Sequence, residues 1–129
     1  MNISTKHLYI ILIYILFIIM SCKSETYSRG KMVYTNLCEN CHMADGTGLP
    51  PLYPSLVNSV YVDYNLSMLT CLIQNGKQSN IISNIAMPAH DLSDIDMANL
   101  INYLNDKWGS KKPLSINEVK ENMARCANL

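Results

Sequence analysis

The chain has few charged side chains, and neither sign of charge is concentrated in one stretch. Only 16% of its 129 residues are charged, with ten basic residues against ten acidic ones. Without a basic run, nothing indicates nucleic-acid binding, and without an acidic run nothing indicates a solvating tail. Internal repeats are also missing, so repeat architectures are not indicated.

A hydrophobic run long enough to span a bilayer is missing as well. The apolar run over residues 8–20, preceded by Lys6 and His7, has the length of the hydrophobic region of a signal peptide. A membrane-spanning helix needs about 20 apolar residues. The run ends in Ile19-Met20-Ser21-Cys22, which resembles the lipobox of bacterial lipoproteins, where the cysteine becomes the N-terminus and carries the lipid.

These features predict a lipoprotein signal peptide over residues 1–21, lipid attachment at Cys22 and a short polar tether over residues 22–28. Acyl chains on Cys22 would hold the protein at a membrane surface without spanning the membrane. The expected location is therefore the periplasmic side of a bacterial membrane or the cell surface. The alternative is an ordinary cleaved leader in which Cys22 has no special role.

The most informative stretch is Cys38-Glu39-Asn40-Cys41-His42. A C-x-x-C-H run is typical of covalent haem c attachment, in which two thiols form thioethers with the porphyrin and the histidine binds the iron. A zinc site would need a second ligand pair, and the sequence has no other C-x-x-C and no H-x3-5-H. A thioredoxin-like motif would need βαβ patterning around it, which is not visible.

Two further cysteines, Cys71 and Cys126, form an even remainder in an exported protein. One disulfide between them is the economical hypothesis in an oxidising compartment, and it would contribute roughly 2–4 kcal/mol. The alternative is two buried thiols, because the sequence does not give their separation in space.

The apolar periodicity predicts helices and no β-sheet. The first helix covers residues 27–37 and leads into the haem motif, and Gly30 within it is expected where another helix crosses closely. A second helix covers residues 61–75 and ends at Asn75-Gly76. A third begins at the N-cap Ser93, with Asp96 three positions later, and closes at Gly109. Residues 116–127 form a last short helix or a frayed tail.

The second axial ligand of the iron has several candidates in this sequence. Met87 precedes Pro88, which keeps it out of helical geometry, and it lies in a loop 45 residues after His42, so it is the preferred ligand. His90 is expected to face solvent, and Met43 follows His42 too directly to reach the far side of the iron. Met32, Met68 and Met97 are expected on apolar helix faces as core residues.

With these residues in place, the chain resembles a class I c-type cytochrome from about Gly30 to Gly109. The matching features are Gly30 and Tyr34 before the haem motif, the Pro54-Ser55-Leu56 step, the Met87-Pro88-Ala89 segment, and Leu100 and Tyr103 in the last helix of the domain. The resemblance implies an all-α fold with three main helices and loops around one covalent haem c. It also implies that the Pro54 carbonyl accepts the Nδ1 proton of His42.

The domain is expected over residues 29–110, with a C-terminal extension over residues 111–129 that the resemblance does not cover. The resemblance is strongest to cytochromes that work with bacterial oxidases, nitrite reductases and alcohol dehydrogenases. It departs from the family at Ala89-His90-Asp91, where many relatives have an aromatic residue.

The sequence therefore predicts a one-electron carrier rather than an enzyme. Cys38 and Cys41 would hold the haem, and His42 and Met87 would bind the iron. The expected partners are a redox protein donor and acceptor in transient contact and a membrane surface through the anchor, without nucleic acid or a small-molecule substrate. The alternatives are a dedicated subunit of a larger enzyme, a haem enzyme acting on peroxide or a gas with Met87 displaced, and a haem-based sensor, which would need an output domain.

Overall fold

A computed structural model describes residues 3–20, 27–79 and 85–126 of the chain. The first helix, α1 (Ile3–Met20), has exposed apolar side chains from Leu8 to Ile15. In the ranges described, no helix is long and apolar enough to cross a membrane. The predicted lipid attachment residue, Cys22, lies outside these ranges, as does most of the predicted tether.

Two helices before and after the central loops form the frame of the domain, as the sequence predicts. Helix α2 (Ser28–Leu37) is followed by the short helix α3 (Glu39–His42), and helix α6 (Asp94–Trp108) crosses α2. The crossing is tight at Gly30, where a Cβ atom would lie 2.1 Å from the Asn99 carbonyl oxygen. Only a glycine allows the two backbones to approach so closely, which confirms the prediction of a crossing helix at this position.

The ends of this crossing are held by polar contacts. The Ser93 hydroxyl accepts a hydrogen bond from the Asp96 backbone N–H at 3.1 Å, which is the predicted N-cap of α6. Arg29 of α2 donates to the Asp96 carboxylate at 2.6 Å. This ion pair holds the pKa of Asp96 below its usual range, together with the Ser93 hydrogen bond.

The middle of the chain forms two helices where the sequence predicts one. Helix α4 (Val60–Tyr64) ends before Asn65, and helix α5 (Leu66–Asn75) begins after it. The Asn65 side chain accepts a hydrogen bond from the Met68 N–H at 2.9 Å, so it caps α5 instead of continuing α4. The prediction of one continuous helix over 61–75 is wrong at this residue.

The C-terminal extension forms helix α7 (Ile116–Cys126), and it is packed rather than frayed. Val119 is fully buried in the same hydrophobic core as α2, α5 and α6. A disulfide joins Cys126 to Cys71 of α5 across a sequence separation of 55 residues, so the hypothesis of one disulfide is confirmed. The extension is therefore built into the body of the domain.

The core is completed by aromatic side chains at the α2–α6 crossing. The rings of Tyr34, Tyr103 and Trp108 lie 5.3–6.3 Å apart in tilted and edge-to-face pairs. The Tyr34 hydroxyl donates to the Met43 carbonyl at 2.5 Å, directly after the haem motif. The described residues contain no β-strand, only two isolated bridges, which agrees with the predicted all-α class.

Candidate functional site

The C-x-x-C-H residues lie at the end of α2 and in the single turn of α3. The His42 and Cys41 N–H groups both donate to the Cys38 carbonyl, at 2.9 and 3.1 Å. This turn places the two cysteines and the histidine together at the start of the central loops. Cys38 and Cys41 have free thiols, and burial raises the pKa of Cys38 to about 11, with Cys41 adding to the shift.

The orientation of the His42 ring is fixed by a backbone carbonyl. His42 Nδ1 lies 2.9 Å from the Pro54 carbonyl oxygen, the contact that the resemblance implies. A carbonyl can only accept, so Nδ1 carries the proton and donates. The lone pair is then on Nε2, which is the form of imidazole that binds a metal ion.

Gly48 makes this contact possible. Its φ is +66°, and a Cβ atom there would lie 2.6 Å from the Pro54 carbonyl oxygen. Its N–H also donates to the His42 carbonyl at 3.0 Å. The loop after the haem motif therefore folds back on His42 because this position has no side chain.

A cavity of about 560 Å³ adjoins the haem motif and has a mainly apolar wall. Cys38, Cys41 and His42 line it, and so does Met87. The structure thus brings to one cavity all four haem-site residues that the sequence predicts. Its wall is completed by apolar side chains from α2, α4, α5 and α6 and from the loops, including Leu37, Leu52, Leu56, Tyr61, Leu69, Leu72, Ile73 and Leu104.

The backbone of Met87 is held by the residues that follow α5. Met87 and Lys77 exchange two backbone hydrogen bonds, both 2.9 Å long. Gly76, at φ +70°, lies under this bridge, and a Cβ atom there would be 2.5 Å from the Met87 carbonyl oxygen. The next contact along the loop is the His90 N–H, which donates to the Ile73 carbonyl at 3.0 Å. The last turn of α5 is therefore the platform for the Met87 loop.

Comparison with known families gives one match that covers most of the domain. Residues 25–104 match the family described as cytochrome c oxidase, cbb3-type, subunit III. The chain belongs to this family. It is a c-type cytochrome that carries covalently bound haem c and transfers electrons, as the sequence predicts.

The cytochrome is also similar to the cytochrome c subunits of quinone alcohol dehydrogenases. It is 32% identical over 93 residues to the subunit from Gluconobacter oxydans, which covers 67% of this chain and 20% of that protein. It is 34% identical over 91 residues to those of Gluconacetobacter polyoxogenes and Komagataeibacter europaeus. In those two matches, 65% of this chain aligns with 19% of each subunit. The chain spans about a fifth of the length of these curated relatives.

The residues of the cavity fit a haem. Its volume lies within the range of small-molecule and cofactor pockets, roughly 300–1,000 Å³, and its wall is mainly apolar, as a porphyrin requires. Two free thiols, a histidine with an available Nε2 and a thioether border the same space. The pairing of Cys71 with Cys126 leaves Cys38 and Cys41 as the free thiols among the described cysteines.

The other methionines and the histidine that the sequence offers as iron ligands differ in their burial. Met97 is fully buried in the core as predicted, whereas Met32 and Met68 are 55% and 54% exposed, so their assignment to the core is wrong. His90 is half-buried and lines the cavity, so the prediction that it faces solvent is also wrong. Met43 is absent from the cavity wall as described, which agrees with its exclusion.

Sequence reasoning missed the residues that position the ligands. Asn75-Gly76 signals the end of α5, but the approach of the Met87 loop to Gly76 has no local signal. The backbone bridge between Lys77 and Met87 also has no local sequence signal. Neither does the contact of Gly46 with the Trp108 ring, for which a side chain at position 46 would leave no room. The two glycines of Gly46-x-Gly48 indicate a turn in the sequence. They do not show that the Pro54 carbonyl packs against Gly48.

The rim of the cavity is nearly uncharged. Residues 49–62 contain no acidic or basic side chain, and within the described wall of the cavity Lys77 is the one charged residue. Several apolar side chains are exposed on or beside this rim: Leu37, Leu49, Leu52, Val57, Val60 and Ile85.

Proposed function

We propose that the protein is a one-electron carrier whose haem iron is bound by His42 and Met87. The observation that supports this most directly is the position of Met87, whose side chain lines the same cavity as His42 and whose backbone is held there at Lys77. Haem c supplies a one-electron iron couple when it is bound. A thioether ligand opposite histidine raises the reduction potential of such a couple.

The side chains of the protein have three tasks in this function. Cys38 and Cys41 attach the cofactor, and the Pro54 carbonyl keeps the His42 ring in one tautomer and one orientation. The apolar wall excludes water, which also favours the reduced form. With both proposed ligands bound, the iron would have no open position, so we propose that the domain does not transform a substrate itself.

We propose that the partners are a redox protein donor and acceptor that dock transiently at the uncharged rim. Small interfaces below about 1,200 Å² are usual for such encounters. The exposed apolar side chains of the rim and its lack of charge suit contact with another apolar surface. We also propose that lipid on Cys22 holds the cytochrome at the periplasmic side of a bacterial membrane or at the cell surface, which raises its local concentration near membrane-bound partners.

The ligands are tested by visible spectroscopy of the purified holoprotein, oxidised and reduced, with and without carbon monoxide. The expected result is a low-spin spectrum with a weak far-red methionine–iron band and no change on adding carbon monoxide. Met87→Ala should lose the band, bind carbon monoxide and have a lower reduction potential. Met97→Leu is the matched control, because Met97 is buried in the core away from the cavity wall.

A wild-type spectrum that is high-spin and shifts with carbon monoxide would contradict the proposal. It would favour the haem enzyme acting on peroxide or a small gas, with His90 as the nearby imidazole. Retention of the far-red band in Met87→Ala would assign the ligand to another methionine.

A dedicated subunit of a larger enzyme is the second candidate function. It is favoured by the similarity to the cytochrome c subunits of quinone alcohol dehydrogenases. The two functions differ in the stability of the complex. A dedicated subunit purifies from mild detergent extracts in a fixed stoichiometry with one dehydrogenase, whereas a mobile carrier purifies alone and still accepts electrons when added back.

A further inference from the structure

Helix α5 lies between the cavity and the C-terminal helix. Leu69, Leu72 and Ile73 line the cavity. Ser67, Cys71 and Asn75 are spaced four residues apart and therefore share another face of the helix. That face contacts α7, which belongs to the extension that the family resemblance does not cover.

Three bonds join this face of α5 to α7. Ser67 donates to the Asn122 side-chain oxygen at 3.0 Å, and Cys71 forms the disulfide with Cys126. At the end of both helices, the Asn75 side-chain N–H donates to the Cys126 carbonyl at 3.0 Å. Cys126 is therefore bonded to α5 twice, once through its sulfur and once through its backbone.

The residues bonded to Cys126 adjoin the platform of the Met87 loop. Asn75 is followed by Gly76, which packs under the Met87 carbonyl, and by Lys77, which exchanges two hydrogen bonds with Met87. Ile73, two residues before Asn75, accepts the hydrogen bond of the His90 N–H. If the last turn of α5 moved, it would displace Gly76 and Lys77, which hold the Met87 backbone. It would also displace the Ile73 carbonyl, which holds His90.

We propose that α7 positions Met87, and that the bonds of Cys126 to Cys71 and Asn75 hold the axial methionine in place through the last turn of α5. We call these two bonds the Cys126 clasp. The inference rests on the proposed ligation of iron by Met87, and it assigns a function to the extension. Cys71, Asn75 and Cys126 are positioning residues, because none of them is placed at the iron.

The test compares holoprotein variants that open the clasp with variants that loosen α7 elsewhere. Cys71→Ser/Cys126→Ser removes the disulfide without leaving a single reactive thiol. Among the side-chain hydrogen bonds of the described residues, Asn75→Ala removes only the one to Cys126. Ser67→Ala is the matched control for Asn75→Ala, because it breaks an α5–α7 hydrogen bond two turns away from the Met87 loop. Val119→Ala is the control for general loss of stability, because it trims a fully buried side chain of α7.

Both clasp variants should show a weaker far-red band at temperatures where circular dichroism still reports a folded protein. Their ferrous forms should bind carbon monoxide at concentrations to which wild type does not respond, with an affinity at least about tenfold higher, a usual size for coupling between two parts of a protein. The two controls should keep the band until they unfold. Asn75→Ala is the milder variant and keeps the test valid if the double serine variant does not fold.

The inference is overturned if both clasp variants keep the band and the indifference to carbon monoxide up to global unfolding, as the controls do. Failure of the proposed iron ligation would give a different result. Wild type would then lack the far-red band, or Met87→Ala would retain it, whether or not the clasp is intact.

Discussion

At the scale of single residues, the orientation of His42, the proposed iron ligand, depends on the glycine at position 48. Gly48 occupies a left-handed backbone position in which any Cβ atom would press against the Pro54 carbonyl. That carbonyl is the acceptor for His42 Nδ1. The tautomer of His42, the proposed iron ligand, therefore depends on the absence of a methyl group six residues further along the chain.

Gly48→Ala should move the Pro54 carbonyl away from His42. We expect a loss of about 1–3 kcal/mol in the free energy of unfolding, from left-handed strain and the clash together. We also expect a higher reduction potential, because the hydrogen bond from Nδ1 to the carbonyl makes the imidazole more basic, and a more basic ligand stabilises the oxidised iron. Denaturant unfolding and potentiometry of the holoprotein measure the two effects.

Thr47→Ala is the control for Gly48→Ala, because Thr47 is exposed and bonds only to Asp45 among the contacts described. Its potential should equal that of wild type. If Gly48→Ala also retains the wild-type stability and potential, the loop tolerates the methyl group and the argument for Gly48 is wrong.

At the scale of elements, the α2–α6 crossing joins a close backbone contact to an exposed ion pair. Gly30 brings the helices together, and Arg29 and Asp96 connect them at the solvent side. Because the pair is exposed, its contribution is small, yet it makes stability depend on pH. The direction of that dependence follows from the lowered pKa of Asp96.

The folded state holds the Asp96 carboxylate more strongly in its ionised form than the unfolded chain does. Its contribution to stability is therefore complete above the pKa of the unfolded chain and is lost as the pH falls through the lower pKa of the folded state. Asp96→Asn should flatten the dependence of the melting temperature on pH below about pH 4. Asp106→Asn, an exposed carboxylate on the same helix, should leave the slope unchanged. If the melting temperatures of Asp96→Asn and wild type depend on pH in the same way, the ion pair does not contribute to the pH dependence of stability.

The sequence predicts the elements best where the signal is local. Ser93 and Asp96 mark the start of α6, Gly109 follows its end, and Asn75-Gly76 marks the end of α5, because caps and stops act within one turn. The sequence does not mark Asn65 as a helix cap, since an asparagine inside an apolar period is also compatible with a continuing helix. It also places Met32 and Met68 in the core, because periodicity defines an apolar face of a helix without showing whether another element covers that face.

The candidate site divides in the same way. The C-x-x-C-H spacing is a covalent requirement, so the sequence alone is enough to propose Cys38, Cys41 and His42, and the proline after Met87 adds that residue to the proposed site. The seat of Met87 was not predictable, because Lys77 and Gly76 meet it only through the tertiary fold.

At the scale of the whole molecule, the proposed lipid on Cys22 determines where the electrons are delivered. Each buried CH₂ group of an acyl chain contributes about 0.8 kcal/mol, so two or more chains hold a small protein at the membrane. Cys22→Ala should move the cytochrome from the membrane fraction to the soluble fraction and leave its spectrum unchanged. Lys23→Ala is the control and should stay with the membrane. Equal fractionation of wild type and Cys22→Ala would mean that the anchor lies elsewhere.

The arrangement of the four described cysteines also has a consequence for the maturation of the protein. Cys71 and Cys126 must be oxidised to form their bridge, whereas Cys38 and Cys41 must remain thiols until the porphyrin is attached. Thiolates attack disulfides, so the two pairs exchange readily in an unfolded chain. One short polypeptide therefore needs oxidation of one cysteine pair and reduction of the other. The order in which the two pairs react decides whether a functional cytochrome or a chain with the wrong disulfides is produced.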